Sequence, residues 1–248
     1  MAAVGKPTKR IEGLEKITGS ARFAEDLRLP GMLYGRLLLS PHPHAQVTRL
    51  PKEAALGVPG VTAVLTEEDL PDDVSSEIMA DGGEAIYTGQ PVAVVLAESE
   101  AAAADGLDRL AAEVEYEILP AALDPHDAMR DGAPLVAADA EEDEEAQAHA
   151  TVSAGEVKEE KPSNVANRYN FRRGDIEAGF RDADIVVENT YLTGRLHQSY
   201  LEPHATIASY DPFSHLVTVY TGTQGQFYVR AQTAKALGVS EQQVKVVP

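Results

Sequence analysis

The densest collection of groups able to do chemistry is Arg195-Leu-His-Gln-Ser-Tyr-Leu-Glu-Pro-His204, which packs two imidazoles, an amide, two hydroxyls and a carboxylate into ten residues. It follows one β-favouring run and precedes another, and loops held between rigid strands are where binding and catalytic groups are usually placed. By residue type alone, Glu202 and His204 suit hydrogen-bonding their own loop at least as well as meeting a ligand, and loop support is the favoured reading at this level. The pairs His42-x-His44 and His197 with His204 invite a metal reading, yet neither has a third ligand nearby in sequence. Pro41-His-Pro-His44 reads instead as a turn that shows its rings to solvent or to a partner. The acidic block Glu141-Glu-Asp-Glu-Glu145 lacks the glycine spacing of a calcium loop. Gly-x-Gly-x-x-Gly, the P-loop and Gly-x-Ser-x-Gly are all missing, so the motifs declare neither a nucleotide-phosphate cradle nor a hydrolase nucleophile. Cysteine is absent, which removes disulfides, thiolate metal sites, iron–sulfur ligation and a thiol nucleophile from this chain.

Those residues need a scaffold, and 248 residues with 44% hydrophobic and 25% charged are enough to bury a real core in one large or two ordinary domains. Lys and Arg number 21 against 40 Asp and Glu, a formal net charge of −19. Such a surface repels a phosphate backbone and an anionic membrane alike, so nucleic-acid and membrane-surface roles are disfavoured. No stretch is long and apolar enough to span a bilayer, and Met1-Ala-Ala-Val-Gly-Lys-Pro carries no apolar run before a cleavage site. The cytoplasm is the expected address.

Along the chain, Leu33–Leu39 and Gly60–Leu65 read as strands bounded by turn formers, and Thr66 with Glu67, Glu68 and Asp69 opens a helix that Pro71 cuts short. Pro91-Val-Ala-Val-Val-Leu-Ala97 is a continuous β-favouring run that suits a strand covered on both faces. Ser99 then caps a helix with Ala103, Leu107, Leu110 and Ala111 at helical spacing. Glu113-Val-Glu-Tyr-Glu-Ile118 alternates, placing Val114, Tyr116 and Ile118 on one buried face. From about 131 to 163 the periodicity disappears, and the like-charge runs predict a solvated linker. Order returns with a helix at Gly174–Phe180 led by Asp175, a strand at Asp184–Tyr191, and two β-rich runs, Ala205–Tyr210 and Leu216–Tyr220, joined by a hairpin-like Asp211-Pro-Phe-Ser. A last helix from near Gln226 sets Phe227, Ala231, Ala234 and Leu237 on one side and stops at Gly238. Val244–Val247 begins a strand, and a helix leading into a strand at the terminus predicts a domain that is completed by other sequence.

Several segments, in order, resemble the N-terminal part of the large subunit of the molybdenum hydroxylases, the xanthine dehydrogenase, aldehyde oxidase and carbon monoxide dehydrogenase family. They are Lys16-Ile-Thr-Gly-Ser-Ala-Arg-Phe-Ala-Glu-Asp26, Gly31-Met-Leu-Tyr-Gly-Arg with Ser40-Pro-His-Pro-His-Ala45, Gly89-Gln-Pro-Val-Ala-Val-Val-Leu-Ala97, Glu113-Val-Glu-Tyr-Glu-Ile-Leu-Pro120, Arg173-Gly-Asp-Ile-Glu-Ala-Gly-Phe180, Leu201-Glu-Pro-His-Ala205 and Thr223-Gln224. The resemblance implies an α+β chain: an α/β hammerhead domain over 1–130, an acidic linker over 131–163, and the first part of a mixed α/β molybdopterin-binding domain over 164–248.

The function implied is oxidative hydroxylation of a heterocycle, aldehyde or similar small molecule, with water as the oxygen source, inside a hetero-oligomer. The implied cofactor is molybdenum–molybdopterin, with the cytosine dinucleotide among its expected forms, shared with the remainder of the subunit. Partner subunits are expected to carry [2Fe-2S] clusters and FAD, and the chain alone is expected to be inactive. In the family, the segment entering the Leu-Glu-Pro-His motif approaches the metal and commonly offers a glutamine six residues before the glutamate. Here that position is Leu196, followed by His197 and Gln198, so these three are the expected cofactor-binding residues. Either Gln198 serves through a shifted loop or this member lacks the contact. The competing expectation is a non-catalytic hammerhead module kept for assembly or binding.

Overall fold

The computed structural model describes residues 4–71, 79–136, 164–165, 171 and 173–248. In chain order the elements are α1 (Gly13–Thr18), β1 (Tyr34–Leu39), β2 (Ala45–Arg49), α2 (Lys52–Leu56), β3 (Val61–Leu65), β4 (Glu84–Ala85), β5 (Pro91–Ala97), α3 (Glu100–Glu113), β6 (Glu115–Ile118), α4 (Pro125–Ala128), α5 (Ile176–Asp182), β7 (Thr206–Asp211), β8 (Leu216–Thr221), α6 (Gln226–Leu237) and β9 (Val244–Val247). This is a mixed α+β fold, and the described strands fall into three three-stranded sheets, β1-β5-β3, β4-β2-β6 and β7-β8-β9.

The apolar run 91–97 becomes the centre of the first sheet, antiparallel to β1 on one side and β3 on the other. A central strand needs cover on both faces, and Val92, Ala93, Val95 and Ala97 are all buried. Helices α2 and α3 close over this sheet. Ser99 caps α3 by accepting from the Ala102 N–H at 3.1 Å. Ala103 and Leu110 face inward, with Leu107 partly buried, while Ala111 stays exposed and Gly106 takes a core place instead. A Cβ at Gly106 would stand 2.7 Å from Val61 Cγ2 and 3.0 Å from Val95 Cγ1, so glycine is what lets the helix lie this close to the sheet.

The second sheet is small. Strand β6 follows α3 as expected, but it leaves β5 and pairs with β2. It forms an edge, so Tyr116 is half-buried and Ile118 is exposed, against the expectation of one buried face. The segment after Thr66 makes only a single 3-10 turn, Glu67–Asp69, with the Thr66 N–H donating to Asp69 Oδ2 at 2.8 Å.

In the second half, Asp175 caps α5 through the Ala178 N–H at 3.0 Å. Strands β7 and β8 form the expected hairpin, in register from Thr206 opposite Thr221 to Asp211 opposite Leu216. Asp211 fixes its turn by accepting from the Phe213 N–H at 2.9 Å and the Ser214 hydroxyl at 2.6 Å. Strand β9 pairs with β8 in parallel, which requires a crossover, and α6 supplies it. Two expectations fail here. Asp184–Tyr191 is not a strand: it runs unpaired and exposed, because β propensity cannot make a strand where no described neighbour offers a ladder. Ala231 is half-buried and Ala234 buried on α6, but Phe227 and Leu237 are exposed, since a three-stranded sheet covers only the middle of the helix. The expected linker beyond Val136, with its acidic block 141–145, lies outside the described residues.

Candidate functional site

The β7–β8 register brings two distant stretches of sequence together. Because Thr206 faces Thr221, with their hydroxyls 2.8 Å apart, residues 202–205 entering β7 lie beside 222–224 leaving β8. These two stretches face the first half of the chain across a cleft of about 1040 Å³. The wall on that side comes from β1 and the turn before it, including Arg28. The facing wall presents Gln198, Tyr200, Glu202, His204 and Gln224.

The loop that carries the first of these is bent sharply. Ser199 holds φ at +50°, a left-handed conformation uncommon for a residue with a Cβ, and its N–H donates to His197 Nδ1 at 3.0 Å. This turn sends Gln198 and Tyr200 to the cleft. Leu196 does not line the cleft and is 93% exposed, and His197 backs the wall through its ring. The Tyr200 ring sits between two imidazoles, 5.2 Å from His197 and 5.0 Å edge-to-face from His204. Of the three residues expected at a cofactor, then, Gln198 is in the wall, His197 supports it, and Leu196 turns away.

Glu202 is half-buried, and its carboxylate lies directly against Gly222. Among the described residues neither Glu202 nor His204 makes a side-chain hydrogen bond, and His204 braces the loop through its edge-to-face contact with Tyr200. Arg28 does not neutralise Glu202: it donates to the backbone carbonyls of Glu25 and of Leu27, the latter at 2.8 Å, and stands 3.6 Å from Glu100. Gln224 escaped the residue-level reading because it lies 26 positions after Gln198; the legible hairpin, extended by its own register, would have found it.

The histidine pair near the N-terminus has a different role from the one its turn suggested. His44 is 15% exposed at its side chain, with Nε2 donating to Glu84 Oε1 at 2.6 Å and Nδ1 donating to the Pro120 carbonyl at 2.7 Å. Both partners only accept, so the site satisfies both ring nitrogens in the doubly protonated form and favours the charged ring. The Glu84 bond first, and the Pro120 bond second, raise its pKa above the ordinary 6.5. His42 packs edge-to-face on Tyr116 at 5.2 Å. Among the described residues no three His, Asp or Glu side chains converge on a metal, and no helix is long and apolar enough to cross a membrane.

Residues 18–120 match the family model described as the aldehyde oxidase and xanthine dehydrogenase a/b hammerhead domain, and residues 157–248 match the molybdopterin cofactor-binding domain. The chain is 30% identical over 251 residues to a probable xanthine dehydrogenase subunit of Bacillus subtilis, covering 98% of this chain and 30% of that one. It is 28% identical to the nicotinate dehydrogenase large molybdopterin subunit of Eubacterium barkeri, covering 98% of this chain and 53% of the relative. Its fold superposes on CO dehydrogenase from Oligotropha carboxidovorans with a TM-score of 0.74 at 28% identity, over 98% of this chain and 30% of that chain. The chain therefore spans between about a third and about half of the relatives it matches.

Proposed function

Because the chain belongs to the aldehyde oxidase and xanthine dehydrogenase family of molybdopterin-binding large subunits, we propose that its interdomain cleft is one wall of a molybdopterin and substrate pocket. The domains we assign are the hammerhead over 1–130, a linker over 131–163, and the opening of the cofactor domain over 164–248.

The observation that carries this reading is the cleft itself. At about 1040 Å³ it is at the upper end of the range in which small-molecule and cofactor sites are found, with the amides and imidazole of Gln198, Gln224 and His204 on one wall and charged side chains such as Arg28, Arg36 and Glu100 on the other. The residues present fit a large heterocyclic group. Amides at Gln198 and Gln224 can both donate and accept, and Glu202 offers acceptor oxygens that no described residue satisfies. Gly222 leaves open the space that Glu202 needs. The bound molybdenum group would supply redox chemistry that no side chain of this protein can perform. The chain's own contribution is to bind and orient: Gln198 and Gln224 fix polar edges, Tyr200 and the imidazole of His204, backed by His197, give an aromatic wall, and β1 forms the opposite side.

The reaction proposed is oxidative hydroxylation of a heterocycle, aldehyde or similar small molecule, with water as the oxygen source. It takes place in a complex whose other subunits hold [2Fe-2S] clusters and FAD, in the cytoplasm. The cofactor form proposed is molybdenum–molybdopterin, including its cytosine dinucleotide, shared with further polypeptide, and this chain alone is inactive. The exposed position of Leu196, where the family offers glutamine, favours a second reading as a non-catalytic assembly module. Elemental analysis for molybdenum, with fluorescence analysis for oxidised pterin, decides between them on protein purified with the polypeptides that accompany it. Near-stoichiometric molybdenum and pterin are expected; an assembled complex holding neither supports the module reading and defeats ours.

A further inference from the structure

Glu202 occupies a niche that only a glycine permits. A Cβ placed on Gly222 would lie 2.6 Å from Glu202 Oε1, 2.7 Å from Cδ and 3.1 Å from Oε2, well inside contact distance of all three atoms. The carboxylate thus fills the space that a side chain on Gly222 would take. Gly222 has no positive φ, so the backbone would accept an alanine without strain; the carboxylate is the obstacle. The group is half-buried in the cleft wall, it can only accept, and no described donor meets it. An acceptor in that state is completed by donors from whatever fills the cleft.

We propose that Glu202 is the docking point for a planar heterocycle edge bearing two adjacent N–H donors, and that Gly222 is the positioning residue that holds the carboxylate flat for it. This rests on the reading of the cleft as a molybdopterin and substrate pocket and goes beyond it by naming the residue pair and the ligand edge. Two parallel N–H···O bonds to one carboxylate are the geometry a guanidinium makes, stronger and more directional than a single bond. The 2-amino and N3–H edge of a pterin presents the same pair. Two sources share this chemistry: the ring of the resident cofactor, or a 2-amino-substituted nitrogen heterocycle arriving as substrate.

The test uses pterin and lumazine, which differ in that a carbonyl replaces the 2-amino group and so removes the adjacent donor pair. The complete complex, prepared from a host unable to make molybdopterin and separately in loaded form, is titrated with each ring while ring fluorescence is followed. On the cofactor-free protein pterin is expected to bind about tenfold or more tighter than lumazine, the loss of one charge-assisted hydrogen bond. Glu202→Gln, which keeps the shape and offers one acceptor oxygen, brings the ratio to about one. Gly222→Ala does the same by displacing the carboxylate, with the thermal midpoint recorded to show that the protein remains folded. If loaded protein no longer takes up pterin, the edge belongs to the resident cofactor; if it does so with the same preference, the edge belongs to substrate, and either result supports the proposal. Failure to bind pterin, equal affinity for both rings, or a preference that survives Glu202→Gln overturns it. Molybdenum content separates the two claims: a molybdenum-bearing complex without the preference sinks this inference alone, whereas one without molybdenum or pterin sinks the function on which it rests.

Discussion

His44 ties three separate stretches of the hammerhead together through one charged ring, gripping Glu84 across 40 positions and Pro120 across 76. Its folded-state pKa lies above the unfolded 6.5, so the stabilisation it gives is complete below that value and is lost as pH rises through the folded pKa. Thermal midpoints measured from about pH 6 to about pH 8 should therefore fall with a slope that His44→Gln removes. A slope unchanged in that variant would mean that the ring is not charged in the folded protein. Nothing in Pro41-His-Pro-His44 announced this clamp. Its turn composition was legible, but a side chain's partners tens of residues away depend on how sheets meet, which local sequence does not encode. The same holds for Glu202, whose residue type suited loop support and whose actual surroundings are set by Gly222, twenty positions further on.

At the scale of elements, strong local signals translated directly: the 91–97 strand, the Ser99 cap with its helix, the Asp175 cap and the 206–221 hairpin all formed where composition placed them. What failed was burial and pairing set by elements distant in sequence. Ile118, expected on a buried face, lies exposed on an edge strand, and Asp184–Tyr191 stayed unpaired despite its β-branched run. The contact between α3 and the first sheet shows how tightly the elements that did form are fitted. Alanine at Gly106 would gain about 1 kcal/mol of helix propensity but would overpack Val61 and Val95, an effect of about 1–3 kcal/mol in well-filled cores. Gly106→Ala should lower the thermal midpoint by a few degrees, about 2–4 °C per kcal/mol lost in a protein of this size. A midpoint that rises instead would show that the helix can move off the sheet at no cost.

For the whole molecule, the cleft exists because two units, each with its own sheets, face one another across β1 and the ends of β7 and β8. Neither unit alone holds the full set of lining groups, which is why the site could not be read from either half of the sequence separately. Family-level resemblance points to the kind of chemistry we propose, and the hairpin register to the place we propose for it. The most direct measurement is an anomalous difference map collected at the molybdenum absorption edge from crystals of the loaded complex. It should place the metal at the mouth of this cleft, on the side walled by Gln198, Glu202 and Gln224. A molybdenum peak remote from that wall, or a fully assembled complex with no peak at all, would contradict the account.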